Sequence, residues 1–360
     1  MGWCREIPAA AWQRLVDGAK WPKLTKVNFE ECFGSECKGI EAAAGLLAFL
    51  GRCPELKELG LSGCSEIRAA AWQQLEGAKW PKLTKVSFDK CFGSESKGIE
   101  AAAGLLAFLG RCPELKELQM RDCSEIPAAA WQQLEGAKWP KLTKVSFAWC
   151  FGSESKGIEA AAGLLAFLGR CPELKELDMR YCSEIPAVAW QRLEGAKWPK
   201  LTKVSFAGCF GSESKGIEAA AGLLAFLGCC PELKDLSMRA CGEIPAAAWQ
   251  RLVDDAKWPK LAKVNLNECF GSGSKGIEAA AGLLAFLGRC PELEELRMES
   301  CDQIPAAAWQ QLETATWQKL TRVDFDGCFG EDSKGADGAA GLLTALARCP
   351  ELKDGYITGL

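Results

Sequence analysis

Twenty cysteines and no histidine give this chain an unusual stock of reactive groups. Thiols can hold zinc, close disulfides or act as nucleophiles. Zinc needs ligands that converge on one point, usually in close Cys-x-x-Cys pairs. Here the spacing is periodic instead. Cys32, Cys91, Cys150, Cys209, Cys269 and Cys328 form one series, and Cys4, Cys64, Cys123, Cys182, Cys241 and Cys301 a second. Cys53, Cys112, Cys171, Cys230, Cys290 and Cys349 form a third, which leaves only Cys37 and Cys229 outside. Residues that recur with one period stack in ladders, as small buried hydrophobes with weak S–H donors. Parallel side-chain directions make a poor disulfide geometry. Free structural thiols, no metal and no cofactor are therefore expected.

The remaining chemistry is weighed the same way. GSESKG places glycines and serines before a helix, as a phosphate loop does. That loop requires Lys-Ser/Thr after its last glycine, and Ile99 follows Gly98 here. Without histidine the commonest general base is missing. The carboxylates recur with the same period as everything else, so no catalytic residue is assigned and no enzyme is expected.

Charge and hydropathy narrow the class. A net charge of −4 argues against nucleic acid as a partner. The longest apolar run, AAAGLLAFLG, is about half of what a membrane-spanning helix needs. MGWCREIPAA has no apolar signal region, and Glu6 stands where an acylated Gly2 would want Ser or Thr. The expectation is a cytoplasmic monomer with no membrane contact.

The elements that position these residues are repeats. The run CFG begins at 32, 91, 150, 209, 269 and 328, a unit of about 59 residues. Each unit contains two strand phrases, LTKVSFDKC (83–91) and LKELQMRDC (115–123). Both read L-x-x-φ-x-φ-x-x-C with φ apolar, the alternation of a short strand with one buried face. After the first phrase, Ile99, Ala102, Leu106 and Leu109 share a helical face, Ser94 and Ser96 are available as N-caps, and Pro113 lies past the end. After the second, Ile126, Trp131 and Leu134 form the inward set. Both Trp series, from Trp12 and from Trp21 onward, keep the register and are expected in the core.

The phrase L-x-x-L-x-L-x-x-C resembles the leucine-rich repeat family. The longer repeat, with GIEAAAGLLAFLGRCPELKEL, resembles the ribonuclease-inhibitor-like subtype. The shorter, CPELKELQMRDCSEIPAAAWQQL, is similar to the cysteine-containing subtype of ubiquitin-ligase recognition subunits, although Trp139-Pro140 stands where that subtype has Cys-Pro. The resemblance implies an α/β leucine-rich repeat solenoid, a horseshoe with about twelve parallel strands on the concave face and helices on the convex face. Residues 1–23, which include Trp3, would form an N-terminal half-repeat cap. Residues 24–319 would form the array, and 320–360 a C-terminal repeat and cap.

One column of the strand phrases alternates in sign. Lys26, Lys85, Lys144, Lys203, Lys263 and Arg322 interleave with Glu58, Glu117, Glu176, Asp235, Glu295 and Asp354, which predicts a self-neutralising ladder rather than a phosphate stripe.

Two adjacent copies, 83–141 and 142–200, differ at Asp89/Ala148, Lys90/Trp149, Gln119/Asp178, Asp122/Tyr181, Ala129/Val188 and Gln133/Arg192. Four of these six differences fall on x positions of the strand phrases. Alternation turns φ residues to the core and x residues to the solvent face of the sheet. GSESK and EGAK are also polar, yet they barely change. The contrast predicts a binding face made by Asp89, Lys90, Gln119, Arg121, Asp122, Trp149, Asp178, Arg180, Tyr181 and Arg239, with a protein partner. A ligand-free scaffold and a ribonuclease-inhibitor-like inhibitor are the alternatives. The inhibitor would use Glu30, Glu31, Asp89, Glu268, Asp324 and Asp326 toward a basic partner.

Overall fold

A computed structural model describes residues 4–18, 20–330 and 333–358. Gly2, Trp3 and the start of EDSKG in the last repeat lie outside the described residues. The chain divides into two compact units, Met1–Leu174 and Lys175–Leu360.

Every strand phrase forms a three-residue parallel strand. The first unit holds β1 (Lys26–Asn28), β2 (Glu58–Gly60), β3 (Lys85–Ser87), β4 (Glu117–Gln119) and β5 (Lys144–Ser146). The second holds β6 (Glu176–Asp178), β7 (Lys203–Ser205), β8 (Asp235–Ser237), β9 (Lys263–Asn265), β10 (Glu295–Arg297), β11 (Arg322–Asp324) and β12 (Asp354–Tyr356). Within each unit, neighbours in sequence are neighbours in the sheet, as β3 and β4 are with Val86 opposite Leu118. A helical segment returns the chain between successive strands, the connection that parallel pairing demands.

The long connection opens with a 3-10 turn, Ile99–Ala101, and continues as the α-helix Ala102–Leu109. Leu105 and Phe108 are buried along with Ala102, Leu106 and Leu109, because repeats on both sides enclose more of the helix than one stripe. The serines do not cap it. Gly98 is the capping residue, while Ser96 Oγ donates to the Cys91 carbonyl at 2.6 Å and accepts the Gly98 N–H at 3.3 Å. Cys37 fills the same place one repeat earlier, with Sγ 2.8 Å from the Cys32 carbonyl, which accounts for one of the two cysteines outside the series.

The short connection begins after Pro127, whose ring holds φ at −71°, and runs as one α-turn, Ala128–Trp131, then a 3-10 turn, Gln132–Leu134. Where Val253 and Asp254 replace the Glu-Gly of LEGAK, the segment stays α-helical through Ala246–Asp255. Removing glycine and adding a residue carries the helix about one turn further.

The core lies between strands and helices. Trp131 is fully buried, edge-on to Phe147 at 5.3 Å and tilted against Phe151 at 5.4 Å. A Cβ placed on Gly157 would lie 2.3 Å from Trp131 Cδ1, so the glycine ahead of each long helix makes room for an indole. That is the role of the last glycine of GSESKG. In the second Trp series, Trp139 Nε1 donates to the Leu109 carbonyl at 2.9 Å.

The strand-closing cysteines are buried thiols that donate to the preceding strand. Cys91 Sγ lies 2.9 Å from the Leu61 carbonyl, and Cys123 Sγ lies 3.3 Å from the Phe88 carbonyl. A protonated thiol is needed for this. Burial favours that form, pushing Cys64, Cys241 and Cys301 up to about 12 and raising Cys91 well above the ordinary thiol range.

The alternating charges meet in register. Lys85 Nζ lies 2.9 Å from Glu117 and Lys203 Nζ lies 2.6 Å from Asp235. These pairs are partly exposed and contribute roughly 0.2–1 kcal/mol each.

Candidate functional site

Each strand phrase ends in a tight turn on the sheet side. In the phrase 83–91 the Cys91 N–H donates to the Phe88 carbonyl at 3.1 Å, so Asp89 and Lys90 are the two corners. The second corner is left-handed, with φ of 60° at Lys90, 57° at Asp122, 64° at Trp149 and 56° at Tyr181. Gly63, Gly208 and Gly327 occupy the same column with φ of 71°, 69° and 68°. The second-corner N–H continues the sheet ladder beyond the strand. Lys90 donates to Arg121 at 2.8 Å, Asp122 to Ala148 at 2.8 Å and Tyr181 to Ala207 at 2.7 Å. Lys90, Asp122 and Tyr181 are thus pinned to the next turn.

The two corners differ in environment. At the first corner of four long repeats the side chain is enclosed, with Asp89 6% exposed, Ala148 1%, Ala207 3% and Asn267 3%, whereas Glu30 and Asp326 at the same corner are exposed. At the second corner Trp149 is 51% exposed, and Lys90 and Asp122 are exposed too. Strand alternation, extended through the turn, put Asp89 and Ala148 on the solvent face. The structure corrects both, because the turn breaks the period of two and lays the first corner against the adjacent turn.

Asp89 has a structural task there. Its carboxylate accepts the Arg121 backbone N–H at 2.7 Å, Nε at 2.9 Å and Nη2 at 2.7 Å. Asn267 makes the equivalent link, accepting the Glu299 N–H at 3.1 Å and donating to its carboxylate at 2.8 Å. Asp89 therefore holds Arg121 in place instead of meeting a partner itself.

In the first unit the structure places Lys90, Arg121, Asp122 and Trp149 on successive turns and Gln119 at the end of β4, with an open hollow bordered by Lys26, Glu58, Lys85, Gln119 and Arg121. In the second unit Arg180 is held by Asp178 at 2.9 and 2.8 Å, and Arg239 by Glu268 at 3.1 and 2.7 Å. These hydrogen bonds, donated to Asp178 and Glu268 respectively, raise each guanidinium above its ordinary value. The Tyr181 ring lies over the backbone of Gly208, where an added Cβ would be 2.5 Å from Tyr181 Cδ1.

Gly208 and Glu268 thus position Tyr181 and Arg239. Strand alternation and copy-to-copy variation do not single out Gly208. Its signal was the recurrence of glycine in that column, at Gly63 and Gly327.

Among the described residues, no cluster of three or more acidic or cysteine side chains is arranged to hold a metal ion, and no helix is long and apolar enough to cross a membrane.

No family model matches the chain. The F-box/LRR-repeat MAX2 homolog of Oryza sativa subsp. japonica is 27% identical over 201 residues, covering 52% of this chain and 25% of that protein. The chain therefore spans about a quarter of that relative's length. Among solved structures, an internalin from Listeria monocytogenes is 14% identical, covers 98% of this chain and 95% of its own, and superposes with a TM-score of 0.52. Yeast Rad7, solved in complex with Elc1, is 18% identical, covers 84% of this chain and 76% of its own, and has a TM-score of 0.48. The parallel strands, the returning helices and the internalin likeness define the class as the α/β leucine-rich-repeat fold.

Proposed function

We propose that this chain is a non-catalytic recognition module that binds a protein partner on the sheet face turned away from its helices. The observation that carries the reading is Trp149, a large aromatic side chain 51% exposed at a turn whose backbone is held by the sheet. Trp, Tyr and Arg dominate interface energetics because they bury much area and keep a polar handle. Arg121, Arg180, Tyr181 and Arg239 lie on the same kind of turn, and Lys90, Gln119, Asp122 and Asp178 complete the surface. Asp89 acts through Arg121. The leucine-rich-repeat class supports the reading, since stacked repeats present extended binding surfaces. Residues 1–23 and 320–360 are taken as caps on the array.

An inhibitor role toward a basic protein is the second reading. Glu31, Asp89 and Glu268 are already paired with Arg5, Arg121 and Arg239, which leaves its acidic character chiefly to Glu30, Asp324 and Asp326.

Affinity capture from a lysate of the source cells tests the proposal. One bait is the chain as written. The other carries Trp149→Ala, Arg180→Ala and Tyr181→Ala and is checked by circular dichroism. A protein held by the first bait and lost by the second is the expected result. Truncating Trp149 or Tyr181 alone is expected to cost about 2 kcal/mol of binding. Identical captures would overturn the assignment of the site.

A further inference from the structure

Eight second-corner residues in these turns are left-handed without being glycine: Glu31, Lys90, Asp122, Trp149, Tyr181, Ala240, Glu268 and Ser300. An L-residue in this conformation sets Cβ against its own backbone and lowers the folding equilibrium several-fold. The column accepts glycine at Gly63, Gly208 and Gly327 with the same geometry, so the turn itself does not require a side chain. Ala240 carries the same strain with only a methyl group, but a charged or aromatic residue kept here in place of glycine calls for a compensating contact of its side chain.

Some have one inside the chain. Glu31 pairs with Arg5, and Glu268 with Arg239. Lys90 and Asp122 do not. They stand on adjacent turns of the first unit, exposed, with no side-chain hydrogen bond or ion pair among the described residues. Around them the other charges are matched, Lys85 with Glu117 and Arg121 with Asp89. The next turn in order carries Trp149, and adjacent strands lie about 4.8 Å apart. The column therefore offers a cation, an anion and an aromatic surface in a row about 10 Å long.

We infer that the left-handed corner is the specificity-determining position of this face. In the first unit it selects a protein surface that presents a carboxylate to Lys90, a basic group to Asp122 and an apolar side chain to Trp149. This rests on the recognition reading above. It adds which position selects, and what chemistry it selects.

The test has two arms on the full chain. In the first, Lys90→Gly, Asp122→Gly and Trp149→Gly are compared with alanine at the same sites. Each glycine is expected to raise the thermal midpoint by about 1–3 °C, least at Asp122 because Asp tolerates this conformation best, while alanine leaves it unchanged. Glycine variants no more stable than the alanine variants would overturn the inference.

In the second arm, a random dodecapeptide library on phage is the probe. The chain as written is expected to enrich peptides that combine an acidic, a basic and an apolar residue. Each glycine variant is expected to lose at least ten-fold of that enrichment, and Lys90→Glu with Asp122→Lys to invert the enriched charges. Peptides indifferent to these changes but lost on Arg180→Ala with Tyr181→Ala would overturn the inference and leave sheet-face recognition standing. No enrichment over a denatured-chain control would overturn both.

Discussion

Trp131 and Trp149 stand in adjacent copies of the repeat, and the fold treats them oppositely. Trp131 is fully buried, its indole between Phe147 and Phe151 and its edge against Gly157. Trp149 is half exposed at the second corner of a sheet-side turn. The first recurs in every repeat, while the second is Lys, Trp or Gly in consecutive long repeats, at 90, 149 and 208. A close-packed interior responds to a change of one methylene, so buried positions are copied faithfully. A pinned turn whose side chain meets solvent can take any residue that the backbone tolerates. A buried indole such as Trp131 is therefore kept in every repeat, while the exposed second corner changes from copy to copy.

The largest expected break in this contrast comes from truncating both residues. Trp131→Ala should cost about 3–5 kcal/mol of stability, and Trp149→Ala less than about 0.5 kcal/mol, read from urea unfolding. Equal losses would remove the distinction between core and face.

Glycines sharpen it next. Gly157→Ala should cost about 1–3 kcal/mol, since its Cβ would sit 2.3 Å from Trp131 Cδ1. Gly136→Ala, with no atom within 4 Å, should change stability by less than about 1 kcal/mol. A tolerated Gly157→Ala would show that the indole can move.

The thiol ladder gives a pH signature. The buried thiols titrate far above the unfolded value of about 8.5. Above about pH 8.5 the unfolded chain releases protons that the folded chain keeps. Stability should be level below that pH and fall as pH rises through the folded values near 12, by up to about 1.4 kcal/mol per pH unit for each such thiol. Urea titrations at about pH 7, 9 and 10.5 would read the slope, and a flat profile would deny that the ladder is made of protonated donors. Cys91→Ala removes one donor to the Leu61 carbonyl and should cost about 1–3 kcal/mol at neutral pH.

The smallest effect belongs to the surface charges. Lys85→Ala, which breaks the 2.9 Å pair with Glu117, should cost less than about 1 kcal/mol and less still in high salt. A larger loss would mean that the ladder holds strand order more firmly than its exposure allows.

Much of the architecture was legible because it is written several times. Val86 and Phe88 face inward and Lys85 meets Glu117 as alternation requires, and the Trp and Cys series fall into the core as their period implies, apart from the half-buried Trp21, Cys4 and Cys349 at the ends. The Ser96 bond to Cys91 was not legible, since a serine ahead of a helix serves a cap and a preceding turn equally well in sequence. Asp89 was misread for a related reason. Alternation carries no information about where a strand stops, and the strand ends at Ser87, two residues before it.

By itself, the sequence determined the period, the parallel α/β architecture, the inward and outward sides of each strand and the columns in which copies differ. These depend on side-chain polarity at fixed spacing, which a linear pattern carries. Only the tertiary structure decided that Asp89 and Ala148 are enclosed while Lys90 and Trp149 project, and that Gly208 seats Tyr181. Those outcomes depend on the left-handed hand of the closing turn. That hand accompanies hydrogen bonds to the next strand, such as Lys90 to Arg121, from residues about thirty positions away, and no local pattern encodes it.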